Sequence, residues 1–183
     1  MKKFMERYSY ECVHLFLNQI AIGLFGMSLA LAAGMAKSEP LRTVTGICSV
    51  IFFLILQYNL MWKVGANDRL ADDLGKLKVN YSVPFFMWLL ANSLNILLAV
   101  FIGLGTLFSD VEFFSAVGGF SATIKLIIEG MYTGLLAINV GGDPLNSYWF
   151  MHLVTPLPAL LVGYLAYFLG SKNIRIIPRG KEK

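Results

Sequence analysis

Five apolar runs divide the chain, at about residues 13–36, 43–62, 82–108, 113–138 and 148–169. At about 1.5 Å per helical residue, each reaches across a hydrocarbon core about 30 Å thick. The pattern predicts five membrane helices. The breaks between them are polar or turn-forming. Lys37-Ser38-Glu39-Pro40 ends the first run, and residues 65–80 form the longest polar stretch. Ser109-Asp110-Val111-Glu112 is short and acidic, and Gly141-Gly142-Asp143-Pro144 reads as a turn. Residues 1–12 read as an interfacial lead-in, with Phe4, Met5, Tyr8 and Cys12 facing lipid. Residues 13–170 read as the helical bundle. Residues 171–183 read as a basic tail, mobile beyond Pro178. The chain is one membrane domain without internal repeats.

Composition agrees with this pattern. Among 183 residues, 57% are apolar and only 14% charged, against about a quarter charged in soluble proteins. A soluble protein of this size has too little interior to hide that much apolar surface. The fold class is therefore an all-α polytopic integral membrane protein, a bundle of about five transmembrane helices in the cell membrane. The pI near 9.1 does not point to nucleic acid, because the basic residues cluster at the chain ends and in one loop rather than along a folded face. Cys12 and Cys48 begin successive runs, lie at opposite membrane faces and cannot pair.

The basic residues also bear on topology. Lys2, Lys3 and Arg7 lie before the first run, Lys37 and Arg42 before the second, and Lys63, Arg69, Lys76 and Lys78 before the third. Five more lie in the tail. Five crossings divide these charges equally. An even number of crossings puts twelve on one side and two on the other, as the positive-inside rule prefers. The fifth run, with Pro156 and Pro158, is the place where a helix would break. Yet His152, Thr155, Pro156, Ala159, Gly163, Ala166 and Gly170 share one face through the prolines, which favours one kinked helix. The sequence thus predicts five helices, with the N-terminus and residues 65–80 cytoplasmic and the side of the tail open.

Candidate chemistry lies inside the runs. Lys125 and Glu129 sit four residues apart near the middle of the fourth run, one turn apart on a helix. Ionisable groups at that depth cost several kcal/mol unless paired or hydrated. The same face carries Gly118, Ser121 and Tyr132, and a greasy face with Ile124, Ile128 and Met131 suits lipid. The pair either binds a charged solute or proton, or only fixes helix packing. In the third run, Trp88, Asn92, Asn95, Ala99 and Thr106 share a face, and the two asparagines need hydrogen-bond partners. His152 is the one histidine in the later runs. The ligand-binding or buried polar network is therefore Lys125, Glu129, Asn92, Asn95, Tyr132 and His152. Gly130 and Gly134, spaced as GxxxG, and Gly23 and Gly26 are candidate helix-packing positions.

The loop around Asp68, Asp72 and Asp73 fits no metal-binding spacing and reads as solvated. No HExxH, GxSxG, Walker or dinucleotide motif is present. No catalytic residue, metal or cofactor is expected, and the chain does not read as an enzyme. The leading expectation is a small solute-handling membrane protein: a transporter, or the substrate-binding membrane subunit of one. A non-catalytic subunit packed against a partner membrane protein is the alternative, and a membrane-embedded enzyme the third. Expected partners are the lipid bilayer, a small polar or charged solute, and a second copy or a partner membrane protein.

Overall fold

A computed structural model describes residues 2–176, so the end of the basic tail, including the stretch beyond Pro178, lies outside the described residues. The molecule is mostly helical. Helix α1 spans Lys2–Met35 and α2 spans Glu39–Asp73. After a connecting loop come α3 (Val83–Ala91), α4 (Ser93–Leu107) and α5 (Glu112–Ile128). One 3₁₀ turn, Gly130–Tyr132, leads into the short α6 (Thr133–Leu136). A two-stranded hairpin pairs Asn139–Val140 with Asp143–Pro144. Helix α7 (Met151–Val154) then runs into α8 (Leu157–Ser171).

Three of these helical stretches are long and apolar enough to cross a membrane: α1, α2 and α7–α8. Two further stretches qualify only as bent pairs. Helices α3 and α4 meet at 57°, and α5 meets the 3₁₀–α6 arm at 87°. Three to five of the predicted runs are thus helices of spanning length, by length and composition. The first bend falls at Asn92, whose φ of −102° and ψ of 6° leave the helical region. The second falls at Glu129, with φ −112° and ψ 25°, just before Gly130.

Start and stop signals explain the element ends. Ser38 caps α2 by accepting a bond from the Leu41 amide at 3.4 Å, and Pro40 occupies the first turn, where its missing N–H costs nothing. Pro84 and Pro158 sit in the first turns of α3 and α8 in the same way. The hairpin turns at Gly141 and Gly142, with φ of 69° and 103°, a backbone open to glycine.

Several expectations are corrected. The N-terminal lead-in is part of α1, and Tyr8 and Cys12 are buried in a core cluster with Met61, Trp62, Met87 and Tyr167 rather than facing lipid. Residues 65–73 are the last turns of α2, not a loop, because Val64, Gly65 and Asp68 continue the buried face of Met61 and Trp62. Ile128 and Met131 are buried too, since the bend at Glu129 turns them inward. The small-residue stripe of the last run does face the bundle: Thr155, Pro156, Ala159, Gly163, Ala166 and Gly170 are buried.

Contacts fix which ends lie together. At one end, the Arg42 guanidinium donates to the Ala137 carbonyl at 3.3 Å, next to the hairpin. Gly103 of α4 lies against the Trp149 ring, which follows that hairpin, so α4 runs toward the same end. At the other end, Asp68 gathers α1, α2 and α8. It accepts from Arg7 at 2.8 Å, Tyr8 at 2.8 Å and Tyr167 at 2.7 Å, and is 1% exposed. The first tail residues are anchored here. The Trp62 indole donates to the Ile174 carbonyl at 2.6 Å, and the Arg175 guanidinium lies 3.9 Å from a Trp62 ring centre. The described start of the tail, to residue 176, therefore leaves the bundle at the end that holds Arg7 and Asp68.

Candidate functional site: a buried ion pair where three helix breaks meet

The V made by α5 and α6 has its apex at Glu129, and the apex rests on the middle of α1. A Cβ at Gly23 would lie 2.6 Å from the Ile127 carbonyl oxygen, and one at Gly26 would lie 2.9 Å from the Met131 amide nitrogen. A Cβ at Gly130 would meet the Gly23 carbonyl and Met27, and one at Gly134 would lie 2.9 Å from the Gly46 Cα. The four packing glycines thus lie in contacts within one chain, with Gly46 as an unforeseen partner. Only hydrogen at these positions lets the backbones approach.

The apex carries the charges. Lys125 and Glu129 are 2% and 4% exposed, and Lys125 Nζ lies 2.7 Å from Glu129 Oε2. Lys125 falls in the last turn of α5, where a cation suits the free carbonyl end of the helix. Glu129 at the same end has the wrong sign for that dipole and depends on its other partners. Thr155 donates to Oε2, and the Gln19 amide donates to Oε1 at 3.4 Å. Gln19 also reaches Asn92 Oδ1 at 3.3 Å. Asn95 donates to the same oxygen at 3.2 Å, and Asn92 returns a bond to the Trp88 carbonyl at 3.0 Å. Trp88 in turn donates to the Pro156 carbonyl at 2.8 Å.

Three interruptions of regular helix therefore converge: Asn92 between α3 and α4, Glu129 between α5 and α6, and Thr155-Pro156 between α7 and α8. Gln19, from the unbroken α1, bridges the first two. A break exposes backbone polar groups, and inside an apolar slab such groups are tolerated only within protein or beside a water-filled space. Polar side chains at all three breaks meet that requirement in one place.

A cavity of about 340 Å³ opens beside the pair, lined by Thr123, Lys125, Glu129, Thr133, Asn146 and His152. Several buried polar atoms lack aligned hydrogen bonds: Lys125 Nζ, Tyr132 Oη, His152 Nδ1 and Asn95 Oδ1. The Lys125 contact to Glu129 is thus an ion pair that engages one ammonium proton and leaves the others without a protein acceptor. Of the residues predicted for the network, Lys125, Glu129, Asn92 and Asn95 lie in one connected set. Tyr132 is buried at the apex, and His152 lines the cavity. Thr155, which the sequence placed on the shared face of the last run, and Gln19 are further members. A larger cleft, about 500 Å³, lies at the tail end between α2 and the start of the tail. Of its charged residues, Arg69 and Asp73 pair with each other at 3.0 Å and Lys172 is exposed, and among the described residues no buried unpartnered group faces it.

The fold and site define a helical protein with spanning-length helices and a charged pair held at interrupted helices. The chain matches no protein-family model, no curated protein and no solved structure.

Proposed function

We propose that this chain is a multi-pass membrane protein that binds and handles a small polar or charged solute in the cavity beside Lys125 and Glu129. One observation carries the reading: three helix breaks meet on a buried ion pair that lines a cavity of about 340 Å³. Helices broken near mid-depth, with a solute site at the break, are a recurrent design of membrane transporters. A pair that served packing alone would need neither the cavity nor the breaks.

The proposed topology has four crossings: α1, α2, α3–α4 and α7–α8. The α5–α6 V enters and leaves by the Arg42 face. This count replaces the five crossings read from hydropathy, and it puts the N-terminus, residues 65–80 and the tail on one side. Twelve lysines and arginines then face the cytoplasm and two face outward. The cell membrane is the expected location.

A groove of about 400 Å³ between α1 and α2 supports a second reading, the subunit of a larger complex. Glu11, His14 and Asn18 line it from α1, and Asn59, Lys63 and Asn67 from α2. Polar groups on an outward face of a membrane helix call for a partner helix or headgroup. The two readings are compatible in a substrate-binding subunit.

Native mass spectrometry in mild detergent tests the proposal. A small adduct on the wild-type chain, absent from a folded Lys125→Met/Glu129→Met variant, is the expected result. In parallel, a cysteine at Thr133 should react with a water-soluble maleimide. An unreactive Thr133→Cys with no adduct overturns the solute reading. Constant co-purification of one partner chain supports the subunit reading.

A further inference from the structure

Resting on the solute reading above, the site's donor count and charge balance narrow the ligand. We infer that the cavity takes up a small monocarboxylate together with one proton, which goes to Glu129.

The first ground is what the cavity has to offer. Glu129 already accepts from Gln19 and Thr155 and faces the Lys125 ammonium. Lys125 has three N–H donors and one close acceptor, Glu129 at 2.7 Å, although it is 2% exposed. The Tyr132 hydroxyl, likewise buried, is also unpartnered. Of the other unpartnered atoms, Asn95 Oδ1 lies outside the cavity lining and His152 Nδ1 can take either role, so the capacity fixed by chemistry at the pair is the ammonium's, which calls for an acceptor. A carboxylate supplies two oxygens to an ammonium in a charge-assisted bond. The volume is far larger than a bare ion, and Leu126 and Leu136 add apolar wall for a short carbon chain.

The second ground is charge. The empty site is neutral: one lysine, one glutamate. Around the pair, Gln19 of α1 and Thr155 of the last run bond Glu129, Asn92 and Asn95 at the first bend follow through Gln19, Tyr132 is buried at the 3₁₀ turn, and Asn146 and His152 line the cavity. Of these only Tyr132 and His152 titrate, and both are uncharged in the neutral balance. Adding a monoanion leaves an uncompensated negative charge in a poorly solvated place, which is strongly unfavourable. One proton from the aqueous phase removes that charge. Glu129 becomes a carboxylic acid and keeps Gln19 as donor to one oxygen, while Lys125 exchanges Glu129 for the incoming carboxylate. Loaded and empty sites are then both neutral, and each anion brings one proton with it.

The test uses the full-length protein in nanodiscs and three probes of one shape: butyrate, butyramide and butylammonium. Titration calorimetry in two buffers of different ionisation enthalpy reads the protons taken up. Butyrate should bind best, take up about one proton, and bind about tenfold tighter for each pH unit lowered. Glu129→Gln keeps the shape but strands the lysine charge. That variant should be stabilised by butyrate and bind it with no proton uptake and no pH dependence. His152→Gln should leave the number of protons taken up per bound butyrate unchanged. Equal or better binding of butyramide or butylammonium overturns the anion inference and leaves the solute reading standing. Proton uptake that survives in Glu129→Gln, or vanishes in His152→Gln, overturns the assignment to Glu129. If none of the probes binds while Thr133→Cys reacts with maleimide, the inference falls alone; if that cysteine is also inert, the solute reading falls with it.

Discussion

Replacing Gly23 with alanine adds one methyl group where α1 meets the apex of the V. That carbon would lie 2.6 Å from the Ile127 carbonyl oxygen, with the Ile128 carbonyl oxygen still nearer and its carbon at 2.8 Å. All three are backbone atoms, so no side chain can swing away to make room. Alanine favours the helix over glycine by about 1 kcal/mol. Overpacking of this kind costs about 1–3 kcal/mol, and rigid backbone on the far side puts Gly23 at the upper end. The net expectation is a loss of about 1–2 kcal/mol, the overpacking cost less the propensity gain. Gly119, in the interior of α5, provides the control, because nothing lies within 4 Å of its added Cβ. Gly119→Ala should be neutral or stabilising. Thermal unfolding in one detergent at one scan rate measures the pair, since membrane proteins often unfold irreversibly and only matched scans compare. A fall of roughly 2–8 °C for Gly23→Ala, scaled as for a chain of this length, is expected. Equal midpoints for the two variants would refute the close approach of α1 to the V.

Other consequences are as direct. Glu129→Ala strands the Lys125 charge and should cost about 3–5 kcal/mol, whereas Lys125→Met/Glu129→Met removes both charges and should be nearly neutral; thermal midpoints of the two variants give the order. Asp68→Asn leaves one acceptor oxygen for three donors and should cost about 1–3 kcal/mol, read the same way.

Much of this architecture was legible from the pattern of residues. Hydropathy located the helical runs, and the i, i+4 spacing of Lys125 and Glu129 located the ion pair. The stripe from Thr155 to Gly170 marked the buried face of the last helix. What escaped was the bend at Glu129. Nothing in Ile127-Ile128-Glu129-Gly130 is a strong helix breaker except one glycine, and glycine is common in membrane helices. The break is stabilised by Gln19 and Thr155, which lie far away in sequence. Asp68 escaped for a related reason. Amid Asn67, Arg69, Asp72 and Asp73 it looks solvated, and only the helical phase with Met61, Trp62 and Gly65 separates it from them. Its partners Arg7, Tyr8 and Tyr167 come from both ends of the chain, beyond the reach of any local pattern.

The central claim is that α5 and α6 form a V opening to one face, with the ion pair at its apex. Single cysteines at Asp110, Asp143 and Asn173, in a Cys12→Ala/Cys48→Ala background, test it with an impermeant maleimide on intact cells. The account predicts that Asp110 and Asp143, which flank the V, both label from outside, and that Asn173 labels only after the cells are opened. Labelling of Asp110 and Asp143 from opposite sides would make α5–α6 a full crossing and contradict it.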